Sequence, residues 1–224
     1  LQGLTIQHGW SNEGGGLRIA GGVMTAEDCH FKRCNSTFGG AVCVLGGRVE
    51  LKHCTLVDCG ATFGGGVAVI TGEVEFNSTS TKRCIAQASG GGAWCDNGGT
   101  LNARDSTWRH CHAAQGGGLG IQGLVQLTSS SVQHCRSEGH GGGLQLTAAA
   151  SGMLRCVKFG ENQAANGGGV SVEAGASLSG EHVAITSCTA DRGGGLATLG
   201  QSTFHHLTIR SCRADTIGGA IALG

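Results

Sequence analysis

Apolar residues along this chain alternate in short runs, and the runs recur. Leu17 and Ile19, Val42 and Val44, Val67 and Val69, Leu119 and Ile121, and Val170 and Val172 each flank one small or polar residue. In, out, in is the period of a strand, not of a helix. A Gly-Gly-Gly or Gly-Gly-Ala triplet precedes each pair. The triplets start at Gly14, Gly39, Gly64, Gly91, Gly116, Gly141, Gly167, Gly193 and Gly218, at steps of 25, 25, 27, 25, 25, 26, 26 and 25 residues. Aligned on them, Trp94 joins the first inward column with Val42 and Val67, and Asp96 joins the second with Val44 and Val69. Cys43 and Cys95 then share the outward column, two rungs apart.

A second alternation follows in each unit, as at Val49 and Leu51, Val74 and Phe76, and Val125 and Leu127. A third run ends in an apolar-x-x-Cys phrase, as from Phe31 to Cys34, Leu56 to Cys59 and Trp108 to Cys111. Three short strands with glycine punctuation, repeated at this period, predict an all-β fold. It is a single-stranded right-handed parallel β-helix of about nine coils of about 25 residues each. Residues 1–224 read as one β-helix domain. The chain begins inside a third strand and stops after a first strand, with no polar cap at either end. This predicts a segment of a longer repeat array, or coils that stack head to tail on a second copy.

Composition sharpens this. Glycine supplies 44 residues and proline none. Glycine suits tight corners, and proline would break the hydrogen-bond ladder between rungs. Net charge is zero, which gives no global attraction to nucleic acid or membrane. Aromatic residues make up 4% of the chain, too few for a base-stacking platform. No apolar run approaches the roughly 18 residues of a membrane span, and no signal peptide is visible.

The cysteines fall into columns. Cys34, Cys59, Cys84, Cys111, Cys135, Cys188 and Cys212 all end the third strand, and Asn162 takes the same place in the coil between Cys135 and Cys188. This predicts a structural ladder of inward thiols acting as small hydrophobes. Cys29 and Cys54 align one rung apart at the start of the third strand, a candidate disulfide. Zinc is disfavoured. The paired cysteines are five residues apart on extended chain, about 16 Å, and four such sulfurs cannot meet on one tetrahedral ion.

Gly39-Gly40-Ala41-Val42 and Gly218-Gly219-Ala220-Ile221 resemble the Gly-Gly-Ala-aliphatic motif of the chlamydial polymorphic outer membrane proteins. Phe159-Gly160-Glu161-Asn162 resembles their Phe-x-x-Asn motif. The resemblance covers essentially the whole chain. Here the triplets are mostly Gly-Gly-Gly, and Cys stands for Asn in seven rungs. What it implies is a pectin-lyase-like right-handed β-helix, exposed at a cell surface and used in adhesion.

Candidate chemistry is sparse. Gly139-His140-Gly141 matches the Gly-His-Gly of polygalacturonases, but their Asn-Thr-Asp, Asp-Asp and Arg-Ile-Lys motifs have no match, so His140 reads as a turn residue. Glu73 with Glu75, and Glu27 with Asp28, lack a basic companion or a cleft and read as solvated. No catalytic, metal or cofactor residues are assigned. His110 and His134 align on neighbouring rungs. Lys32, Arg33, Lys82, Arg83, Arg109 and Arg210 lie on or beside the third strand, where stacking turns them into a basic stripe fit for an anionic glycan. Asn35-Ser36-Thr37 and Asn77-Ser78-Thr79 are N-glycosylation sequons. The expected protein is an extracellular or cell-surface structural or adhesive solenoid that assembles end to end or binds surface glycans. The competing class is a polysaccharide lyase or hydrolase. Ice binding is a minor third, since the outward column of the first strand carries no threonine array.

Overall fold

The structure, a computed structural model, describes residues 1–224 and contains strands, turns and no helix. All strand pairing is parallel and runs from one coil to the next: Thr5 pairs with His30, His30 with Thr55 and Thr55 with Ser80. The third strands, from Thr5–Gln7 through Thr208–Arg210, make one nine-stranded sheet. The first and second strands share a 13-stranded sheet. In the first four coils they fuse into single long strands, such as Val42–Lys52 and Val67–Asn77. From the fifth coil onward they separate, as Leu119–Ile121 and Leu124–Thr128. A short fourth segment, absent from the three-strand expectation, follows the ladder cysteine in several coils, as at Gly60–Phe63, Ile85–Ser89 and Arg213–Ile217.

Each coil turns three recurring corners on single residues in the left-handed conformation, and glycine holds one of these throughout; in several coils a further positive-φ turn, at Gly22, Gly47, Gly72 and Gly175, separates the first and second strands. Gly64 has φ +65°, and a Cβ there would sit inside the Val67 carbonyl oxygen. The other two corners carry side chains. One column is Asp28, His53, Ser78, Asp105, Ser129, Cys156, His182 and His206; the other is His8, Arg33, Asp58, Arg83, His110, His134, Glu161, Ser187 and Ser211. Their φ values lie between 47° and 59°. Asp and His tolerate this region better than most residues, and six of the ten histidines sit here.

Between the corners the alternation buries one face. Val42, Val44, Val49, Leu51, Phe31 and Leu56 are fully buried, and 44 residues form one continuous core along the axis. Phe76 meets Trp108 edge to face at 5.2 Å, filling the interior between neighbouring coils.

The fourth coil differs from the sequence alignment by one residue. Ala93, not Trp94, pairs with Val67 and Leu119, and Cys95, not Asp96, pairs with Val69 and Ile121. The triplet therefore starts at Gly90, which has φ +69°. Trp94 stands in the outward column opposite Ala68, where its indole packs 4.9 Å from Phe63 and 6.1 Å from Phe38. Cys95 points inward, so Cys43 and Cys95 do not share a column. The four small residues Gly90 to Ala93 admit either placement, and the Trp94 ring is too bulky for the inward site that Val67 fills.

Candidate functional site

Three features of the solenoid carry polar or reactive groups. The first is the ladder at the end of the third strand. Cys34, Cys59, Cys84, Cys111 and Cys135 stand on successive rungs, followed by Asn162, Cys188 and Cys212. All but the half-buried Cys212 are buried. They follow a left-handed corner, where the strand ladder is interrupted and backbone groups need side-chain partners. The thiols donate back to the strand they leave, Cys135 to the Gln133 carbonyl at 3.3 Å and Cys188 to that of Thr186 at 3.4 Å. Asn162 instead bonds with its carboxamide to the coil below. Its Oδ1 accepts from the Cys135 N–H and its Nδ2 donates to the Val132 carbonyl, both at 2.9 Å.

A sister ladder follows the other corner, and here the sequence reading was too narrow. Cys29 and Cys54, the candidate disulfide, are separate thiols in the structure. Cys29 donates to the Glu27 carbonyl at 3.3 Å and Cys54 to that of Lys52 at 3.2 Å. Their column continues as Thr79, Ser106 and Ser130. The Cys54 N–H donates to Thr79 Oγ1, the Thr79 N–H to Ser106 Oγ and the Ser106 N–H to Ser130 Oγ, at 3.1–3.3 Å. Cys54 also donates to the Ala26 carbonyl one rung below at 3.3 Å, so backbone carbonyls partner both thiols. Burial pushes the Cys54 thiol up to about 11 and the Cys188 thiol to about 12. Thiols of this kind are protonated at neutral pH and inert to disulfide exchange.

The second feature is the outer face of the third strand. Lys32, Val57, Lys82, Arg109, Gln133, Gly160, Thr186 and Arg210 form one column in that order. Arg33 and Arg83 occupy the adjoining corner. The structure thus gathers Lys32, Arg33, Lys82, Arg83 and Arg109, all exposed, within four rungs, and leaves Arg210 four rungs beyond Arg109. Arg83 is engaged by Asp58 through two bonds, 2.7 and 3.0 Å, which hold the Asp58 carboxyl below its ordinary value. Thr55, Ser80, Thr107 and Ser131 line a parallel outward column. His110 continues the corner column and stacks on His134, rings 4.8 Å apart. Desolvation, with His134, Arg109 and Arg83 nearby, lowers its pKa, so it adds no charge at neutral pH. A second stacked pair, His182 and His206 at 4.6 Å, had the same signal of near-repeat spacing in the sequence.

Beside this face lies a hollow of about 640 Å³. Gly60, with Asn35 and Ile85 on the neighbouring rungs, lies in its lining together with Trp10, Asp58, Cys59, Arg83 and Gln87. Trp10 is 78% exposed. The sequon residue Asn35 is exposed at the rim; Asn77, in the other sequon, ends its long strand half-buried and facing outward.

The third feature is a cleft of about 140 Å³ over the outward side of the first strands. His140, Asn166 and Arg192 form one wall, Glu173 and Leu199 the other, and Ser171, Ala197 and Ala222 the floor. In the early coils the same position is covered by Phe38, Phe63 and Trp94. Glu75 and Glu73, read from the sequence as lacking a basic companion, lie 2.6 and 3.7 Å from Arg48, which faces them from the neighbouring coil. No three His, Cys, Asp or Glu side chains converge on a point suited to a metal ion. No helix is long and apolar enough to cross a membrane.

Residues 47–214 match the family described as a right-handed β-helix region. No curated protein and no solved structure matches the chain.

Proposed function

The chain belongs to the right-handed β-helix family, and on that premise we propose that it is an adhesive solenoid of the cell surface or extracellular space that binds anionic glycans along its third face. One observation carries the reading: the rungs stack Lys32, Lys82 and Arg109 in a single outward column, with Arg33 and Arg83 on the adjoining corner. Four rungs at about 4.8 Å make a charged strip about 14 Å long, the scale of a short oligosaccharide. The hydroxyls of Thr55, Ser80 and Thr107 beside it supply partners for sugar hydroxyls and sulfate or carboxylate oxygens. The likeness to the chlamydial polymorphic outer membrane proteins points the same way, toward adhesion.

Binding to a heparin-like resin tests this. Replacing Lys32, Arg33, Lys82 and Arg109 together by alanine is expected to weaken binding roughly 10- to 100-fold at low salt, at about 0.2–1 kcal/mol per exposed ion pair. Arg210→Ala, remote from the strip, is expected to leave elution unchanged. Retention of the quadruple variant at wild-type salt would sink the proposal.

The cleft favours a second reading, a polysaccharide-active enzyme, because His140, Glu173 and Arg192 face one opening. Turnover of pectin, alginate or a sulfated glycan that disappears in Glu173→Gln would establish it in place of adhesion.

A further inference from the structure

The unbroken run Cys34, Cys59, Cys84, Cys111 and Cys135 has a geometry that the adhesive reading does not use. Successive rungs lie about 4.8 Å apart. Thiolate–metal bonds of about 2.3 Å, two in line, span about 4.6 Å. An ion midway between adjacent sulfurs therefore fits the column with the strands where they are. A disulfide does not, since it needs Cβ atoms within about 3.5–4.5 Å. We propose that adjacent thiols of this column bind soft, two-coordinate d10 cations, with Cu(I) as the biological ion.

Two further observations support it. The five thiols are buried on successive rungs, with no other residue type between them in the column. When one Cu(I) joins two of them, two Cu–S bonds form and two protons are released. The hollow over Gly60 has Cys59, the second thiol of the run, in its lining, which places this part of the run beside solvent. Thiolates are the ligands that select Cu(I) over harder ions, and two-coordination needs no third side chain.

Adjacency, not thiol number, sets the capacity. The five-thiol run holds two ions, Cys188 with Cys212 one, and Cys29 with Cys54 one. The test uses Ag(I), a redox-stable probe with the same preference, under anaerobic reducing conditions. The background is Cys156→Ser, which removes the one exposed thiol. Ser78 and Ser129 hold the same corner, so this change keeps the fold. Native mass spectrometry counts bound ions, a near-ultraviolet charge-transfer band reports thiolate ligation, and pH-stat titration counts protons. Cys59→Ser with Cys111→Ser leaves no adjacent thiols in the run and is expected to lose two ions. Cys34→Ser still leaves two adjacent pairs and is expected to lose none. Asn162→Cys joins the two runs into eight and is expected to gain one. Far-ultraviolet circular dichroism must stay β throughout. Absence of binding, losses that follow the number of thiols removed regardless of position, or binding only as the β signal collapses would each overturn the proposal.

Discussion

Gly64→Ala is expected to destabilise the solenoid by roughly 3–5 kcal/mol, combining the left-handed penalty of an L side chain with displacement of backbone. Gly64 holds φ +65°, and the added Cβ would enter the Val67 carbonyl oxygen. That oxygen belongs to the following strand, so it cannot swing aside without moving a fully buried core residue. The loss is a large share of the 5–15 kcal/mol that typically holds a domain together. The matched control is Ser78→Ala, at a corner with φ +51° where a Cβ is already accommodated. Its expected cost is below about 1 kcal/mol, within the range of ordinary surface changes. Urea denaturation followed by circular dichroism measures both. If Gly64→Ala unfolds within 1 kcal/mol of wild type (a bound set by the general spread of surface substitutions), the steric account of the glycine corner is wrong.

That contrast also marks what the sequence could and could not disclose. The repeat, the alternation and the column of third-strand cysteines were legible because stacking places like residues at a fixed interval. The two corners that flank the third strand were not. Glycine holds the triplet corner and, in several coils, the turn between the first and second strands, as at Gly22 and Gly47, whereas Asp28, His53, Ser78 and Arg33 adopt the left-handed conformation without it. Their common property is a position one residue before an inward ladder residue, visible only once the ladder is known. The sister ladder was half seen, because Cys29 and Cys54 drew attention and Thr79, Ser106 and Ser130 did not. All five have one short γ-group able to partner the backbone. Trp94 was misplaced because a run of four small residues hides which three form the turn. The basic strip was legible by spacing, but the Asp58–Arg83 pair within it lowers the free charge that a count of cations suggests.

Asn162 brings the ladder argument to a single residue. Its carboxamide is fully buried and spans two rungs, accepting from Cys135 N–H and donating to the Val132 carbonyl. Asn162→Ala leaves the Cys135 N–H unpartnered in the core and removes a second donor from the Val132 carbonyl, and an unsatisfied buried group costs about 1–3 kcal/mol. The expected loss, with the smaller side chain's lost packing, is roughly 2–4 kcal/mol. Asn162→Cys is expected to cost about half as much, because sulfur accepts an N–H weakly and occupies this site in the neighbouring coils. The order Asn, Cys, Ala follows from partner chemistry; side-chain volume alone would separate Cys from Ala far less. Native-state hydrogen exchange adds a local reading, since the Cys135 amide should lose protection in the alanine variant and keep part of it in the cysteine variant. Equal stability of the two variants would show that the column packs but does not partner the backbone. The thiols would then be small hydrophobes only, and the corners they follow would need another source of hydrogen bonds.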